Sequence, residues 1–213
     1  MMKFKYIPIF VTLFFITSCS GQDNLTEKAL KECINESLNK NIEERTGKSN
    51  LDFYAMMIEV ENNLIKDKLI SKGDRNNYLV LLKSILKSKK SEYENIYIQQ
   101  SEIMDKYGFT PFSTETIFNQ CPYKVSVEHK EAEGKHIYAQ GVVLNKLMAK
   151  GYDNIDLLNE LMNTVDDDNF QKIIYRAPII LITMINLDSM YNPNYKKLKE
   201  HQKGRTPSLD DKN

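Results

Sequence analysis

Apolar residues recur at every third or fourth position along most of the chain between residues 25 and 195. This spacing places them on one face of a helix, so it predicts a series of amphipathic α-helices that bury their apolar faces together. The first four predicted helices are joined by short connections, which indicates that neighbours in sequence pack antiparallel. In the first helix the predicted buried face consists of Leu30, Cys33, Ile34, Leu38 and Ile42.

Capping residues and glycines mark the ends of the predicted helices. Asp74 is suited to cap a helix start, Ser91 with Glu94 matches a capping box, and Gly108 is suited to a helix end. The predicted helices extend from residue 25 to about 44, from Ser49 or Asn50 to Gly73, from Asp74 through Leu86, from Ser91 to Gly108, from near Lys130 to Lys150, from Asp153 or Asn154 through Val165, and onward from residues 166–169.

Residues 109–130 interrupt the helical spacing with Pro111, Pro122 and a cluster of Ser and Thr. A short helix fits residues 114–119, and the alternation at residues 123–127 is compatible with one brief strand. The aromatic side chains of this stretch either line a ligand pocket or anchor a long connection onto the core. These aromatic residues are Phe109, Phe112, Phe118 and Tyr123.

Residues 179–187 are apolar nearly all round, as expected of a helix that is buried on most sides. They are too few to cross a membrane, which takes about 20 residues. Pro178 directly before them either kinks a helix or begins a new one. The pattern as a whole predicts an all-α fold, a single bundle of about seven or eight helices, with the one brief strand near residues 123–127.

The first nineteen residues have a different pattern. Lys3 and Lys5 precede an almost wholly apolar run at residues 6–16, and Thr17 and Ser18 place small residues directly before Cys19. This is the layout of a secretory signal peptide. The apolar run is far shorter than the roughly 20 residues of a transmembrane helix, and Pro8 interrupts it. A cleaved signal without lipid is an alternative, because the small residues would serve that cleavage as well.

Residues 16–19, Ile-Thr-Ser-Cys, resemble the lipobox of bacterial lipoproteins, in which an aliphatic residue and two small residues precede an obligatory cysteine. The resemblance implies that the sulfur of Cys19 receives a diacylglyceryl group and that the signal is cut off before it. The new amino terminus is usually acylated too, and two or more acyl chains hold a protein stably on a bilayer. In enterobacterial lipoproteins an Asp after the cysteine favours the inner membrane, so Ser20 favours the outer membrane.

The lipobox resemblance and the hydrophobic pattern together divide the chain into four segments. Residues 1–18 form the lipoprotein signal peptide, and residues 19–24 comprise the lipidated Cys19 with a short tether. Residues 25–195 form the helical domain, and residues 196–213 form a polar disordered tail. Localisation follows from the anchor: we expect a secreted, membrane-anchored protein of the bacterial cell envelope, an outer-membrane lipoprotein.

The charge balance argues against a nucleic-acid partner. Residues 1–18 hold Lys3 and Lys5 and no acid, so 27 of the 29 basic residues remain in the mature chain against 29 acidic ones, a balance of −2. Nucleic-acid binders normally show a basic excess or stripe. The absence of Trp and the low Gly and Pro content favour helices over a sandwich of short strands.

Cys33 and Cys121 remain as an even pair once Cys19 is set aside for lipid. In an oxidising compartment they could form a disulfide that closes a long loop. The alternative is two buried free thiols, because an unpaired cysteine packs as a small hydrophobic residue. A metal site made from these two distant cysteines alone is not expected.

His129, Glu133 and His136 are spaced by four and three residues, so they would share one face of a continuous helix and could hold a divalent metal. A solvated polar face is the alternative, and Gly134 argues against a regular helix there. Residues 166–169, Asp-Asp-Asp-Asn, lack the glycine and glutamate spacing of a calcium loop and suit a helix cap. The sequence therefore predicts no metal and no cofactor, with the histidine cluster as the weak metal candidate.

The chain has no Gly-x-Ser-x-Gly elbow and no glycine-rich phosphate loop. We therefore expect a non-catalytic envelope lipoprotein whose partners are the lipid bilayer, through acylated Cys19, and an envelope or secreted protein. Inhibitor, assembly and immunity-type roles all fit this expectation. The alternative is a small-ligand-binding protein or hydrolase with a pocket in residues 109–138.

Overall fold

The computed structural model describes residues 25–47, 49–89, 91–111, 114 and 116–196. These residues form nine α-helices and one π-helical turn. The helices are α1 (Leu25–Thr46), α2 (Phe53–Lys66), α3 (Arg75–Lys87), α4 (Glu94–Tyr107), α5 (Cys121–Glu128), α6 (Ala132–Lys150), α7 (Ile155–Met162), α8 (Asp167–Phe170) and α9 (Ile173–Tyr191), and the π-helical turn covers Thr116–Gln120. The predicted signal peptide, Cys19 with its tether, and the polar tail beyond Lys196 lie outside the described residues.

The fold is an all-α helical bundle, as the hydrophobic spacing predicts. The extra helices relative to the predicted count are short, with eight residues in α5 and four in α8. The brief strand expected near residues 123–127 is wrong, since those residues lie within α5 and the described part of the chain contains no strand. Cys121 and Val125 are four residues apart and both buried, so the helical register gives this segment one apolar face.

Helix α9 is the central element, and α2, α3, α4 and α8 pack against it. It is 19 residues long and apolar enough to cross a membrane by length and composition, but 78% of its 18-residue apolar window is buried inside the bundle. The buried core helix of a soluble bundle can have the same length and apolar composition. Of the two alternatives for Pro178, the start of a new helix is wrong, because Pro178 lies inside α9.

Several predicted caps are present and set the lengths of the helices. The side chains of Asp74, Asn154 and Asp166 each accept a hydrogen bond from a backbone N–H in the first turn of the following helix. Gly108 ends α4 with a φ of 61°, in the left-handed region that favours glycine. The prediction of a capping box at Ser91 is wrong, because α4 begins at Glu94 and no side chain caps the start of this helix.

The start of α2 also differs from the expectation. Ser49 and Leu51 hydrogen-bond the Asn39 side chain on α1, whose Nδ2 donates to the Leu51 carbonyl at 2.8 Å. This contact holds the connection extended, so the helix begins later, with Asp52 as its cap. The side-chain oxygen of Asp52 accepts hydrogen bonds from the N–H groups of Tyr54 and Ala55 at 3.1 Å.

Candidate functional site

Cys33 of α1 and Cys121 of α5 form a disulfide, with their Cα atoms 5.7 Å apart. Of the two alternatives that the sequence leaves open, the structure contains the bond. The two cysteines are separated by 88 residues, so the covalent loop encloses α2, α3, α4 and the π-helical turn. Cys121 is fully buried, and Cys33 is half-buried and packs against the core.

Helix α5 is also held tightly against α6. Gly141 faces Pro122 at the start of α5, and a Cβ at residue 141 would lie 2.9 Å from the Cβ of Pro122. At the other end of the hairpin, a Cβ at Gly134 would collide with the carbonyl oxygen of His129. The two glycines therefore permit a close approach that any side chain would prevent. The glycine contacts hold α6 close to α5, and the disulfide holds α5 on α1.

The histidine cluster does not form the shared helical face on which the metal candidate depends. His129 caps the end of α5, whereas Glu133 and His136 lie in the first turns of α6. The chain leaves helical geometry between the two helices, so the spacing of four and three residues does not align the three side chains. Across the described ranges no group of three or more His, Cys, Asp and Glu residues could hold a metal ion.

The aromatic residues of the proline-broken stretch do not converge. Phe109 and Phe118 are buried in the core, whereas Tyr123 on α5 is 64% exposed. Phe112 lies outside the described residues. A cavity of about 10 Å³ lies between α1, α2, α5, α6 and α9, and its lining is apolar except for Gln140 and the hydroxyl of Tyr54. This volume suits about one water molecule, not an organic ligand.

A buried ion pair joins α2 to α9. Arg176 donates hydrogen bonds to both carboxylate oxygens of Glu61, from Nε at 2.9 Å and from a terminal nitrogen at 2.8 Å. Tyr78 on α3 donates a third, at 2.6 Å. Burial, followed by the Glu61 charge, raises the pKa of the Tyr78 hydroxyl far above its ordinary value. Gly73 leaves the space for this cluster, since a Cβ there would collide with Glu61.

A second buried acid joins the first turn of α1 to the start of α9. Glu27 is fully buried, and it accepts hydrogen bonds from the Lys172 ammonium at 2.7 Å and the Tyr175 hydroxyl at 3.1 Å. Burial and then the Glu27 charge raise the pKa of Tyr175. The charges of Glu133 and Asp166 add to this shift.

Asp188 on α9 is a buried acid of a different kind. Its Oδ1 accepts a hydrogen bond from the Asn192 side chain at 3.0 Å, and its Oδ2 has no hydrogen-bond partner in the described part of the chain. Burial raises the pKa of the Asp188 carboxyl, and the hydrogen bond from Asn192 partly opposes that shift. Burial raises the pKa of Tyr195, and the Asp188 charge adds to that shift.

The sequence pattern did not predict these buried charged residues. Each stands where the helical spacing calls for an apolar side chain: Glu27 is three residues before Leu30, and Asp188 follows the apolar run of α9. An acid on an apolar stripe is therefore a usable signal, because a buried charge requires a partner. The spacing does not identify that partner, since Glu61 and Arg176 are 115 residues apart.

Comparisons with known proteins add no family to this description: no protein-family model, curated protein or solved structure matches the chain. A functional proposal therefore has to rest on the all-α bundle and on the hairpin that the disulfide holds.

Proposed function

We propose that the chain is a bacterial envelope lipoprotein, anchored to the outer membrane by acylated Cys19. Its helical domain binds another envelope or secreted protein, in an inhibitor, assembly or immunity-type role, and catalyses no reaction. The lipid bilayer and that protein are its two partners.

The observation that carries the proposal is the disulfide between Cys33 and Cys121. Disulfides form and persist in oxidising compartments and are rare in the cytosol. Export is also what residues 1–19 predict, from a different part of the chain and by different chemistry. Setting Cys19 aside for lipid leaves no odd cysteine, because the two remaining ones pair with each other. The cross-link and the lipobox support the same compartment.

The buried charges favour binding over catalysis. Glu61 is neutralised by Arg176, and Glu27 by Lys172, and each pair joins separate helices of the bundle. Each of these buried acids is paired with a cation on another helix, so neither acid is free to bind or react with a substrate. The alternative, a ligand-binding protein or hydrolase with a pocket in residues 109–138, gains no support from the described residues, because Phe109 and Phe118 fill the core.

Metabolic labelling with an alkyne fatty acid tests the anchor. The full-length chain is expressed in a bacterium, and we expect label and membrane association for the wild type and loss of both for Cys19→Ala. Ser20→Ala is the matched control, because it changes the neighbouring residue and keeps the cysteine. A wild-type chain that is exported and cleaved but carries no label would support the ordinary signal peptide and contradict the lipoprotein proposal.

A further inference from the structure

We propose that the end of the bundle at which α1, α3, α6 and α9 begin, which we call the anchor end, faces the lipid bilayer. The opposite end points away from the membrane. The inference rests on the proposed lipid anchor at Cys19, and it specifies which surface of the domain the bilayer occupies.

The starts of α1, α3 and α9 are neighbours. Glu27 in the first turn of α1 accepts a hydrogen bond at 2.7 Å from Lys172, which directly precedes α9. Phe170 is two residues before Lys172, and the guanidinium of Arg75, the first residue of α3, lies 5.2 Å from the centre of the Phe170 ring. These contacts bring the first turns of the three helices to one end of the bundle.

Helix α6 begins at the same end because it runs parallel to α9. The side-chain nitrogen of Gln140 donates a hydrogen bond to the Tyr175 carbonyl at 3.0 Å. Further along both helices, the Asn186 side chain donates to the carbonyl of Tyr152, just past the end of α6, at 3.1 Å. Earlier residues of α6 thus meet earlier residues of α9, and later residues meet later ones.

The opposite end of the bundle is formed by the end of α3, the start of α4 and the end of α9. The hydroxyl of Tyr191, the last residue of α9, accepts a hydrogen bond at 3.0 Å from the backbone N–H of Tyr93, which directly precedes α4. Ser88, directly after α3, lies 4.0 Å from the sulfur of Met190. The 19 residues of α9 span about 28 Å, so this distance separates the two ends.

The short tether keeps the anchor end near the membrane. Leu25, the first residue of α1, follows Cys19 by only six residues in the sequence. Six residues reach at most about 20 Å even when fully extended. Because the acyl chains of Cys19 are embedded in the bilayer, the start of α1 stays within that distance of the membrane surface. The opposite end is not restrained in this way.

The surface of α1 favours contact through its start and not through its side. Leu25 is 79% exposed, and it is the one large hydrophobic side chain of α1 that is well exposed among the described residues. The exposed face further along α1 is charged, with Lys28, Glu32, Lys40 and Glu43. A helix that lies in a bilayer surface needs an apolar stripe along its length. Helix α1 therefore has an apolar contact for the bilayer at its first residue alone.

Charge does not attract the anchor end to the bilayer. Residues 128–135, at the start of α6, contain three acids and two lysines. Residues 166–172, at the start of α9, contain three acids and one lysine. Anionic lipids attract basic segments, so they give this slightly acidic end no attraction. The tether sets the orientation, which should therefore be independent of anionic lipid.

Quenching of a fluorescent amino acid by nitroxide-labelled lipid headgroups tests the orientation. The full-length lipidated protein is purified from bacterial membranes and reconstituted into vesicles of phosphatidylethanolamine and phosphatidylglycerol. The fluorescent amino acid replaces Gln171 at the anchor end in one variant and Asn95, in the first turn of α4, in another, and both positions are exposed. We expect quenching at residue 171 to exceed quenching at residue 95 several-fold, and to stay unchanged when phosphatidylcholine replaces phosphatidylglycerol.

A longer tether provides the matched control. An insertion of about 20 Gly and Ser residues between Asn24 and Leu25 keeps the lipid and the bundle and adds a flexible segment that spans about 25 Å on average. Quenching at residue 171 should then fall toward the value at residue 95.

The other outcomes separate the orientation from the anchor. Equal quenching at residues 95 and 171, or stronger quenching at Tyr138 on the side of the bundle, would contradict the orientation and leave the lipid anchor standing. Quenching at residue 171 that the insertion does not lower would contradict the tether as its cause. A chain that carries no fatty-acid label and is not recovered with the vesicles would contradict the anchor, and the orientation would fail with it.

Discussion

The Cys33–Cys121 disulfide should contribute much of the stability of the bundle. A cross-link removes conformations from the unfolded chain, and the entropy it removes increases with the length of the closed loop. For the 88-residue separation seen here, the chain-entropy relation gives about 4.6 kcal/mol at 25 °C. Since whole domains are stable by about 5–15 kcal/mol, reduction should remove a large part of the free energy of unfolding.

Equilibrium denaturation by urea measures this contribution. We expect the free energy of unfolding of the oxidised chain to exceed that of the reduced chain by about 3–5 kcal/mol, allowing for residual structure in the reduced unfolded state. The variant with Cys33→Ala and Cys121→Ala controls for the reductant, because its unfolding should not respond to it. A difference below about 1 kcal/mol between the oxidised and reduced wild type would refute the loop-entropy reasoning.

Three further predictions concern buried contacts. Arg176→Met should lower the free energy of unfolding by about 3–5 kcal/mol, since it leaves the buried Glu61 carboxylate without its cationic partner. Adding Glu61→Gln should restore part of the lost stability, and no recovery in this double-mutant cycle would contradict the pairing. Gly141→Ala should destabilise the fold by about 1–3 kcal/mol, because the new Cβ would collide with Pro122. A thermal melt that shows the increase in stability usual for Gly→Ala in a helix would contradict the close packing. Folding raises the pKa of Asp188, so the free energy of unfolding of the wild type should fall as the pH rises from the ordinary pKa of Asp through the raised pKa. The Asp188→Asn variant should be more stable than the wild type only above that pH range. Identical pH profiles for the two proteins would contradict this.

The hydrophobic spacing was sufficient to predict most of the helices. In α1 the residues expected on the buried face, such as Leu30, Ile34 and Leu38, are buried, because every turn of that helix meets the core. Asp74 and Gly108 mark helix ends through local chemistry alone, a side-chain cap and a left-handed residue. Features that depend on three or four neighbouring residues are therefore readable from the chain.

The segment around α5 could not be predicted in the same way. The alternation at residues 123–127 is short, and it fits both a strand and one face of a helix. Two contacts distant in sequence accompany the helix: the disulfide to Cys33 and the approach of Gly141 to Pro122. The buried pair of Glu27 and Lys172 has the same character, since 145 residues separate its members. Partners this far apart have no local signature.

The candidate site depends both on local sequence motifs and on contacts between residues that are distant in sequence. The two cysteines could be identified in the sequence, but their pairing could not, because it depends on how α5 lies against α1. The lipobox at residues 16–19 is the opposite case, since it is a local motif that needs no fold to be recognised.

The intact mass of the protein recovered from bacterial membranes tests the lipoprotein account most directly. We expect a chain that begins at Cys19, carries the added mass of a diacylglyceryl group and an amide-linked acyl chain, and takes up no thiol alkylation until it is reduced, when Cys33 and Cys121 become reactive. An unmodified chain that retains residues 1–18, or one released from the membrane with a free Cys19, would contradict it.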